Sequence, residues 1–465
     1  MKLPFQNTYA NLPPSFFEKV TPTPVIQPSI IAVNDDLARE LGIDPAFLRS
    51  DEGLAILAGN TIPDGAEPLA MAYAGHQFAN FSPQLGDGRA ILLGEIAGKD
   101  IQLKGAGPTP FSRRGDGRSA LGPVLREYLV SEAMHAMGIP TTRALAAVAS
   151  GELVLRETPE KGGIFTRVAS SHLRIGTSQF FAARGDLESL KALVEYANHR
   201  HYPEAKNALD LLRHVINSQA HLVAQWMGIG FIHGVMNTDN MSLSGETIDY
   251  GPCAFMDRFN PAQKFSYIDQ KGRYAYQNQP GIAQWNLTRL AEALLPLFDK
   301  NEEKAVESAK AELEKIPEIF EAAHLKVFSQ KIGLQDNPDW DLIQSLLNLM
   351  KEQEADFTLV FRSLGHGEKT FLSQFKNETS AREWLARWQA AGEADVSLMN
   401  SVNPAFIPRN HRVEEAIADA KKGDFSTFLE LHRVLQNPYQ EQPGFESYQE
   451  TPAPDEIVCA TFCGT

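Results

Sequence analysis

Two neighbouring segments of the chain carry oxygen-donor side chains at a spacing that suits metal–phosphate chemistry. The first, His233–Asn240, reads HGVMNTDN, and the second, Ile248–Gly251, reads IDYG. Asn240 and Asp249 supply hard oxygen donors of the kind that Mg²⁺ and Mn²⁺ prefer. Short polar side chains also form local turns, which is the structural alternative for these segments. The presence of both segments in this order favours a metal site.

The order of these residues matches the catalytic loop of protein kinases, with one difference. In that loop an Asp precedes the metal-binding Asn by five residues, and a second metal-binding Asp opens an Asp-Phe-Gly triplet. Here Val235 stands five residues before Asn240, and Asp249 opens the triplet Asp-Tyr-Gly. A valine cannot accept the proton of a hydroxyl, so ordinary kinase chemistry is in doubt. Asp239 is the nearest substitute carboxylate, and His233 is expected to be a hydrogen-bonded core residue.

A lysine and a glutamate upstream fit the same comparison. Lys104 ends a strand-like segment, and Glu127 lies on the helix predicted to follow. A strand Lys held by a helix Glu is how the kinase fold aims an ammonium group at ATP phosphates. Each residue alone would be interpreted as a solvated surface charge. Their order and spacing make an ion pair an equally reasonable interpretation.

A glycine-rich turn precedes these residues. Gly86, Gly88 and Arg89 belong to the sequence QLGDGR, placed just before a strand. Glycines there allow the backbone to approach a phosphate, and exposed N–H groups can bind its oxygens. Asp-Gly is also a strong hairpin-turn signal, so this motif is weak by itself.

A basic stretch lies inside an acidic chain. Residues 104–126 contain five Lys or Arg, including Arg126, and one acid, Asp116. Arg167 and Arg174 follow in an acid-free stretch. Several guanidinium groups beside a glycine-rich turn suit a triphosphate, whereas a solvated face with scattered ion pairs is the alternative.

The elements that position these residues are predicted from apolar periodicity and turn signals. Residues 1–75 form a loop-rich segment with one short helix, which Asn34 or Asp35 would cap. The mid-chain section mixes strands and helices, and the section from about 283 to 436 is almost wholly helical. The acidic tail from Gln440 is expected to be an extended strap or a mobile end. The predicted mid-chain elements are strands at 90–96, 100–105, 152–157 and 163–169, and helices at 120–137, 186–200 and 206–228.

Composition excludes several classes of protein. The chain has 465 residues, with 43 Lys and Arg against 58 Asp and Glu, a net charge of −15. A nucleic-acid or anionic-membrane binder would need a basic face, so neither partner is expected. The sequence has no apolar run long enough to span a bilayer and no signal peptide, which predicts a cytoplasmic protein. Its three cysteines form neither a disulfide framework nor a zinc signature.

Several long motifs closely resemble the selenoprotein O (SelO) family, and the resemblance runs along essentially the whole chain. The C-terminal Phe-Cys-Gly-Thr fits bacterial members that carry Cys where animal members carry selenocysteine. The motifs are YAGHQF (73–78), SPQLGDGRA (82–90), the segment 102–129, FTRVASSHLRIG (165–176) and the segment 233–252.

The resemblance implies an α+β fold with a protein-kinase-like core. It also implies a protein adenylyltransferase that binds ATP in a flipped orientation and moves AMP onto Ser, Thr or Tyr hydroxyls of proteins. Family members have been linked to UMP transfer with Mn²⁺ as well. The expected organisation is an N-terminal extension (1–75), the kinase-like core (76–282), a helical region (283–439) and an acidic tail (440–465).

The resemblance also implies roles for individual residues. Asp239 would be the proton acceptor, Asn240 and Asp249 would bind Mg²⁺ or Mn²⁺, and Glu127 would hold Lys104 in a structural ion pair. The residues expected to bind the nucleotide are Gly86, Gly88, Arg89, Lys104, Asp116, Gly117, Arg167, Arg174 and Asp249.

Two questions stay open at the level of sequence. If the tail folds back, Cys253 and Cys463 could form a redox-sensitive disulfide, with Cys459 as another partner; an inert, buried Cys253 is the alternative. The activity could also be phosphoryl transfer with Asp239 as a displaced base, or ATP binding without catalysis.

Overall fold

The computed structural model describes residues 3–462 and combines an antiparallel sheet with a largely helical second half. The strands are β1 (Phe17–Lys19), β2 (Ser29–Val33), β3 (Leu69–Met71), β4 (Gly75–Gln77), β5 (Asn80–Ser82), β6 (Ala90–Ile96), β7 (Lys99–Lys104), β8 (Ser119–Ala120), β9 (Arg143–Leu155), β10 (Pro159–Ala169), β11 (Phe231–Ile232) and β12 (Ala254–Phe255). The α-helices are α1 (Asp35–Glu40), α2 (Pro45–Leu48), α3 (Asp51–Leu57), α4 (Leu121–Ala136), α5 (Ile175–Ala182), α6 (Leu187–His201), α7 (Ala208–Gly228), α8 (Gln279–Leu294), α9 (Glu302–Leu313), α10 (Ile316–Lys331), α11 (Trp340–Gln353), α12 (Phe357–Leu364), α13 (Glu368–Leu372), α14 (Glu378–Ala391), α15 (Val396–Val402), α16 (Asn410–Lys422) and α17 (Ser426–Leu435).

The main sheet carries the residues of the glycine-rich turn and the strand lysine. Its strand order is β1-β3-β6-β7-β10-β9-β2, with β8 paired to β10. Strands β6 and β7 form the predicted hairpin, and the two turn residues, Ala97 and Gly98, both have positive φ. Such a two-residue turn matches the twist of the strands it joins. The hairpin leaves Lys104 at the end of β7, opposite Ala90.

Helix α4 is covered on nearly every side, although its sequence shows one apolar stripe. Thirteen of its 16 residues are buried. Its inner face packs on the sheet, and its outer face packs on the last two helices. There the centres of the Tyr128 and Phe428 rings lie 5.6 Å apart, and Arg126 binds both Glu414 and Asn410. The late helices α16 and α17 therefore hold α4, with Glu127, against the sheet.

The N-terminal segment is more structured than expected. Sequence predicts one short helix there, and the structure has three, of which α1 begins after Asn34 as predicted, with the Asn34 side chain accepting from the Leu37 N–H. The segment also supplies β1, β2 and β3 to the main sheet. The prediction of a single helix was wrong, because Asp44 and Ser50 cap two further short helices, α2 and α3. The three boundaries between the four expected regions stay predictions.

The tail folds back over the molecule as an extended strap. Thr461 is buried, pairs with Ser266 in an isolated β-bridge, and donates its hydroxyl hydrogen bond to the Pro252 carbonyl at 2.7 Å. The end of the described chain therefore lies beside the residue that precedes Cys253. Within residues 3–462, no helix has the length and apolarity needed to cross a membrane.

The helical half contains a buried lysine whose ionisation we expect to make stability depend on pH. Lys331 in α10 donates to the Asn403 side-chain oxygen at 2.7 Å and lies 4.3 Å from the centre of the Phe361 ring. Burial lowers its pKa to about 7. An unfolded lysine keeps its proton to about pH 10.4, so between these values the unfolded chain binds more protons and stability rises with pH.

Relative to Lys331→Met, the wild-type protein should therefore gain up to about 1.4 kcal/mol of stability per pH unit above pH 7. Urea unfolding at pH 7, 8 and 9 measures this difference. Lys326→Met, at an exposed position of the same helix, is the control and should leave the slope unchanged. Identical slopes for the wild type and Lys331→Met would contradict the assignment.

Candidate active site

A cavity of about 730 Å³ lies between the main sheet, helix α4 and the segment 235–252. The cavity is lined by residues that are far apart in the sequence. Every residue predicted from the sequence to bind nucleotide or metal, to accept the proton or to hold Lys104 lines this cavity, namely Gly86, Gly88, Arg89, Lys104, Asp116, Gly117, Glu127, Arg167, Arg174, Asp239, Asn240 and Asp249.

The buried end of the cavity is built around the Glu127 carboxylate. Lys104, from the end of β7, pairs with one of its oxygens, and Arg167, from the neighbouring strand β10, pairs with the other. The Arg167 side chain is 1% exposed and that of Glu127 is 2% exposed. Burial alone would raise the pKa of Glu127, but Arg167 and Lys104 lower it and keep the carboxylate ionised. Glu127 of helix α4 therefore holds the charged groups of Lys104 and Arg167 at the wall of the cavity.

Asp249 forms the second centre of charge. Its two carboxylate oxygens accept from Arg167 and Arg174, each at 2.6 Å, and its Oδ1 lies 3.5 Å from the Lys104 Nζ. Burial would raise the pKa of Asp249, but Arg167, Arg174 and Lys104 together hold it well below its usual value. Its φ of +63° places a non-glycine residue in the left-handed region, a costly conformation that is often found at functional sites.

Asp239 lies in the same cavity in a different environment. Its side chain receives one hydrogen bond from the Gln77 amide, at 3.1 Å, and its backbone carbonyl accepts from Arg174 at 2.8 Å. Burial raises the pKa of Asp239 to about 6, against the opposing effect of the Gln77 hydrogen bond. At neutral pH this carboxylate is mostly ionised, and its basicity is above that of an exposed aspartate. Such a group suits proton abstraction.

The side-chain oxygens of Asn240 and Asp249 fit a divalent cation whose other ligands are phosphates of the nucleotide. The Asn240 amide nitrogen donates to the Val235 carbonyl at 3.0 Å, which leaves its side-chain oxygen for a ligand. The Asp249 Oδ2 has a second lone pair beyond its contact with Arg174. Among residues 3–462, no group of three or more His, Cys, Asp or Glu could hold a metal by itself. Mg²⁺ is commonly bound this way, through one or two side chains and substrate phosphates.

The glycine-rich turn follows the wall of the cavity closely. Gly86 has a φ of +65°, and a Cβ there would collide with the Phe111 ring. Asp87, between the two glycines, is buried, accepts from the Met71 N–H and the Gln102 amide, and lies 3.7 Å from Arg174. The sequence gives no separate signal for Asp87, because Asp-Gly is typical of a hairpin turn. Its partners show that it anchors the turn to the sheet.

The basic stretch divides between the cavity and the interior. Arg113 and Arg118 line the cavity, whereas Arg126 points to Glu414 and Asn410 and does not. Arg126 therefore joins α4 to α16 and takes no part in the basic group that lines the cavity. Asp116 stays at the exposed rim, where Arg156 binds it at 2.9 Å.

The remaining predicted residues lie beside the cavity. His233 is fully buried, and its Nε2 hydrogen-bonds the Ile248 carbonyl at 2.9 Å, which confirms its structural role. Cys253 is also fully buried, whereas Cys459 is exposed. Cys463 lies outside the described residues, so the proposed pairing with Cys253 stays a prediction.

Buried cations beside an ionisable aspartate are characteristic of enzymes that transfer a phosphorus-containing group from a nucleotide. Comparison with known proteins narrows this class. The family model "Protein adenylyltransferase SelO" matches residues 1–436, and the chain belongs to this family.

Curated relatives of the chain carry the name "Protein nucleotidyltransferase YdiU". The chain is 57% identical to the protein of Rhizobium johnstonii over 488 residues, which cover 99% of the chain and 97% of the relative. It is 56% identical to the protein of Bradyrhizobium diazoefficiens over 487 residues, with 99% of each chain covered. With that of Nitrobacter hamburgensis the identity is 54% over 485 residues, which cover 99% of the chain and 96% of the relative.

Proposed function

We propose that this protein transfers AMP from ATP to Ser, Thr or Tyr hydroxyls of other proteins and releases pyrophosphate, within a protein-kinase-like fold. Family membership and the names of the relatives support adenylyltransferase activity. The observation that carries the mechanism is the convergence of Lys104, Arg167 and Arg174 at the buried end of a cavity that also contains Asp239.

The position of these cations supports ATP bound with its triphosphate tail pointing inward. AMP transfer breaks the bond between the α-phosphorus and the oxygen that bridges to the β-phosphate. The leaving pyrophosphate then carries most of the developing charge, and preorganised cations at that point lower the barrier. Lys104 and the two arginines are held by Glu127 and Asp249 before substrate binds, so little reorganisation is needed.

Asp239 supplies the proton acceptor in this proposal. The acceptor hydroxyl oxygen forms a new bond to the α-phosphorus, its proton passes to the Asp239 carboxylate, and pyrophosphate leaves with the electron pair of the broken bond. Val235, at the position of the kinase base, is apolar and cannot take this role. Asn240 and Asp249 would hold Mg²⁺ or Mn²⁺, which supplies charge neutralisation at the phosphates when bound.

Labelled nucleotides test the proposed reaction. The protein is incubated with Mg²⁺ or Mn²⁺, a cell lysate heated to inactivate its own enzymes, and ATP labelled on either the α- or the γ-phosphate. We expect protein-bound label from α-labelled ATP only, and equimolar pyrophosphate in solution. Protein-bound γ-label would instead show phosphoryl transfer, and no label from either nucleotide would show an ATP-binding protein without catalysis. α-Labelled UTP, run in parallel, measures whether UMP is also transferred.

A further inference from the structure

We propose that Gln77 is a positioning residue that holds the Asp239 carboxylate in the orientation needed for proton abstraction. The proposal rests on the proposed function, in which Asp239 takes the proton of the acceptor hydroxyl. Gln77 lies on β4, in the N-terminal part of the chain, 162 residues before Asp239.

Gln77 and Asp239 are in direct contact. The Gln77 Nε2 donates to the Asp239 Oδ2 at 3.1 Å, and both residues line the cavity. The other oxygen, Oδ1, is buried and receives no hydrogen bond within residues 3–462. In that part of the chain, Gln77 therefore supplies the side-chain hydrogen bond that selects the rotation of the carboxylate.

The hairpin β4–β5 also fits closely against residues 237–239. Gly75 lies directly on the Asp239 carboxylate, and a Cβ at this position would collide with Oδ1. The His76 N–H donates to the Thr238 hydroxyl at 2.7 Å, and the Phe78 N–H donates to the Asn237 side chain at 3.1 Å. Three consecutive residues of the hairpin thus bind three consecutive residues of the segment, one to one.

Contacts of the turn residues hold the hairpin in place as well. The hairpin turns through Phe78 and Ala79, which both have positive φ although neither is glycine. Such conformations persist where the surroundings determine them, and they concentrate at functional sites. Here the Phe78 ring packs on the Tyr274 ring, with 5.1 Å between the ring centres. The Tyr274 hydroxyl donates to the Asn237 side-chain oxygen at 2.6 Å. These contacts hold the hairpin, and with it Gln77, against the segment that contains Asp239.

A kinetic double-mutant cycle tests the inference. Gln77→Met keeps the length of the side chain and removes the donor, and Gln77→Asn keeps the amide but shortens its reach. We expect each variant to lower kcat for AMP transfer by about 10- to 100-fold, the range for a hydrogen bond to a charged group, with an unchanged KM for ATP. In an Asp239→Asn background, Gln77→Met should cause no further loss, because Gln77 acts through Asp239.

Wild-type kcat in both Gln77 variants, or an equal loss with and without the Asp239 carboxylate, would overturn the inference. Absence of AMP transfer by the wild-type protein would instead overturn the proposed function, so the two failures are distinguishable. Gln344→Met, on the exposed face of α11, is the matched control and should behave as wild type. Thermal unfolding of each variant identifies any that do not fold, in which case the remaining Gln77 variant decides the test.

Discussion

Replacing Asp249 with alanine is expected to lower AMP transfer by about 10³-fold or more. The Asp249 carboxylate is the point where Arg167, Arg174 and Lys104 meet, and it is a proposed metal ligand. Its removal takes away the metal contact and leaves three cations crowded together without their central anion. Interactions of this kind with transferring phosphates commonly account for several orders of magnitude in rate.

Transfer of α-label from ATP measures this effect. The variant Asp249→Asn separates the loss of the carboxylate charge from the loss of side-chain volume. Asparagine keeps the size of the side chain and one oxygen but not the charge, so it should leave no cavity and still lose most activity. Thermal unfolding is expected to show lower stability for the alanine variant, since removal of one member of a buried ion-pair cluster is costly. Asp64→Asn, at an exposed position, is the control. Full activity in either Asp249 variant would disprove its assigned role.

Asp239→Asn should lower kcat by about 10²- to 10⁴-fold, the usual contribution of a general base, while ATP still binds. The substitution removes the proton acceptor but none of the cations at the buried end of the cavity, because Arg174 contacts the Asp239 backbone carbonyl and not its carboxylate. The KM for ATP should therefore stay near the wild-type value.

Steady-state kinetics and calorimetric titration with ATP check the two halves of this expectation separately. A variant that neither binds ATP nor transfers AMP would point to a structural role for Asp239. A variant with normal kcat would place the base elsewhere. Asp249→Asn gives the useful contrast, because it should weaken metal-dependent ATP binding as well as catalysis.

The parts of the fold that sequence predicts well are those fixed by local signals. The β6–β7 hairpin and helix α4 lie within a residue or two of their predicted bounds, because a glycine-containing turn and an apolar repeat mark them. Strand β1 has no such signal. It has three residues, two of them exposed, and it exists because β3, some 50 residues later, offers a pairing edge.

The residues of the candidate site also divide into those that have a signal in the sequence and those that have none. Lys104, Glu127 and Asp249 are predictable because their residue types and order match a known arrangement of charge. Gln77 is not, because its importance arises from a contact with Asp239 across 162 residues, and an isolated glutamine carries no distinctive signal. Asp87 is not predictable either, because the glycines on both sides of it make the segment typical of a turn.

The coverage of α4 by the last two helices also has a consequence for the synthesis of the protein. Helix α4 ends at Ala136, and α17 ends at Leu435, about 300 residues later. At roughly 5–20 residues per second, a ribosome needs about 15–60 s to make that distance. During this interval the sheet and α4 can pair, but the outer face of α4, with Tyr128, has not yet been covered. Until α16 and α17 are made, the nascent chain therefore carries an apolar surface that chaperones can bind.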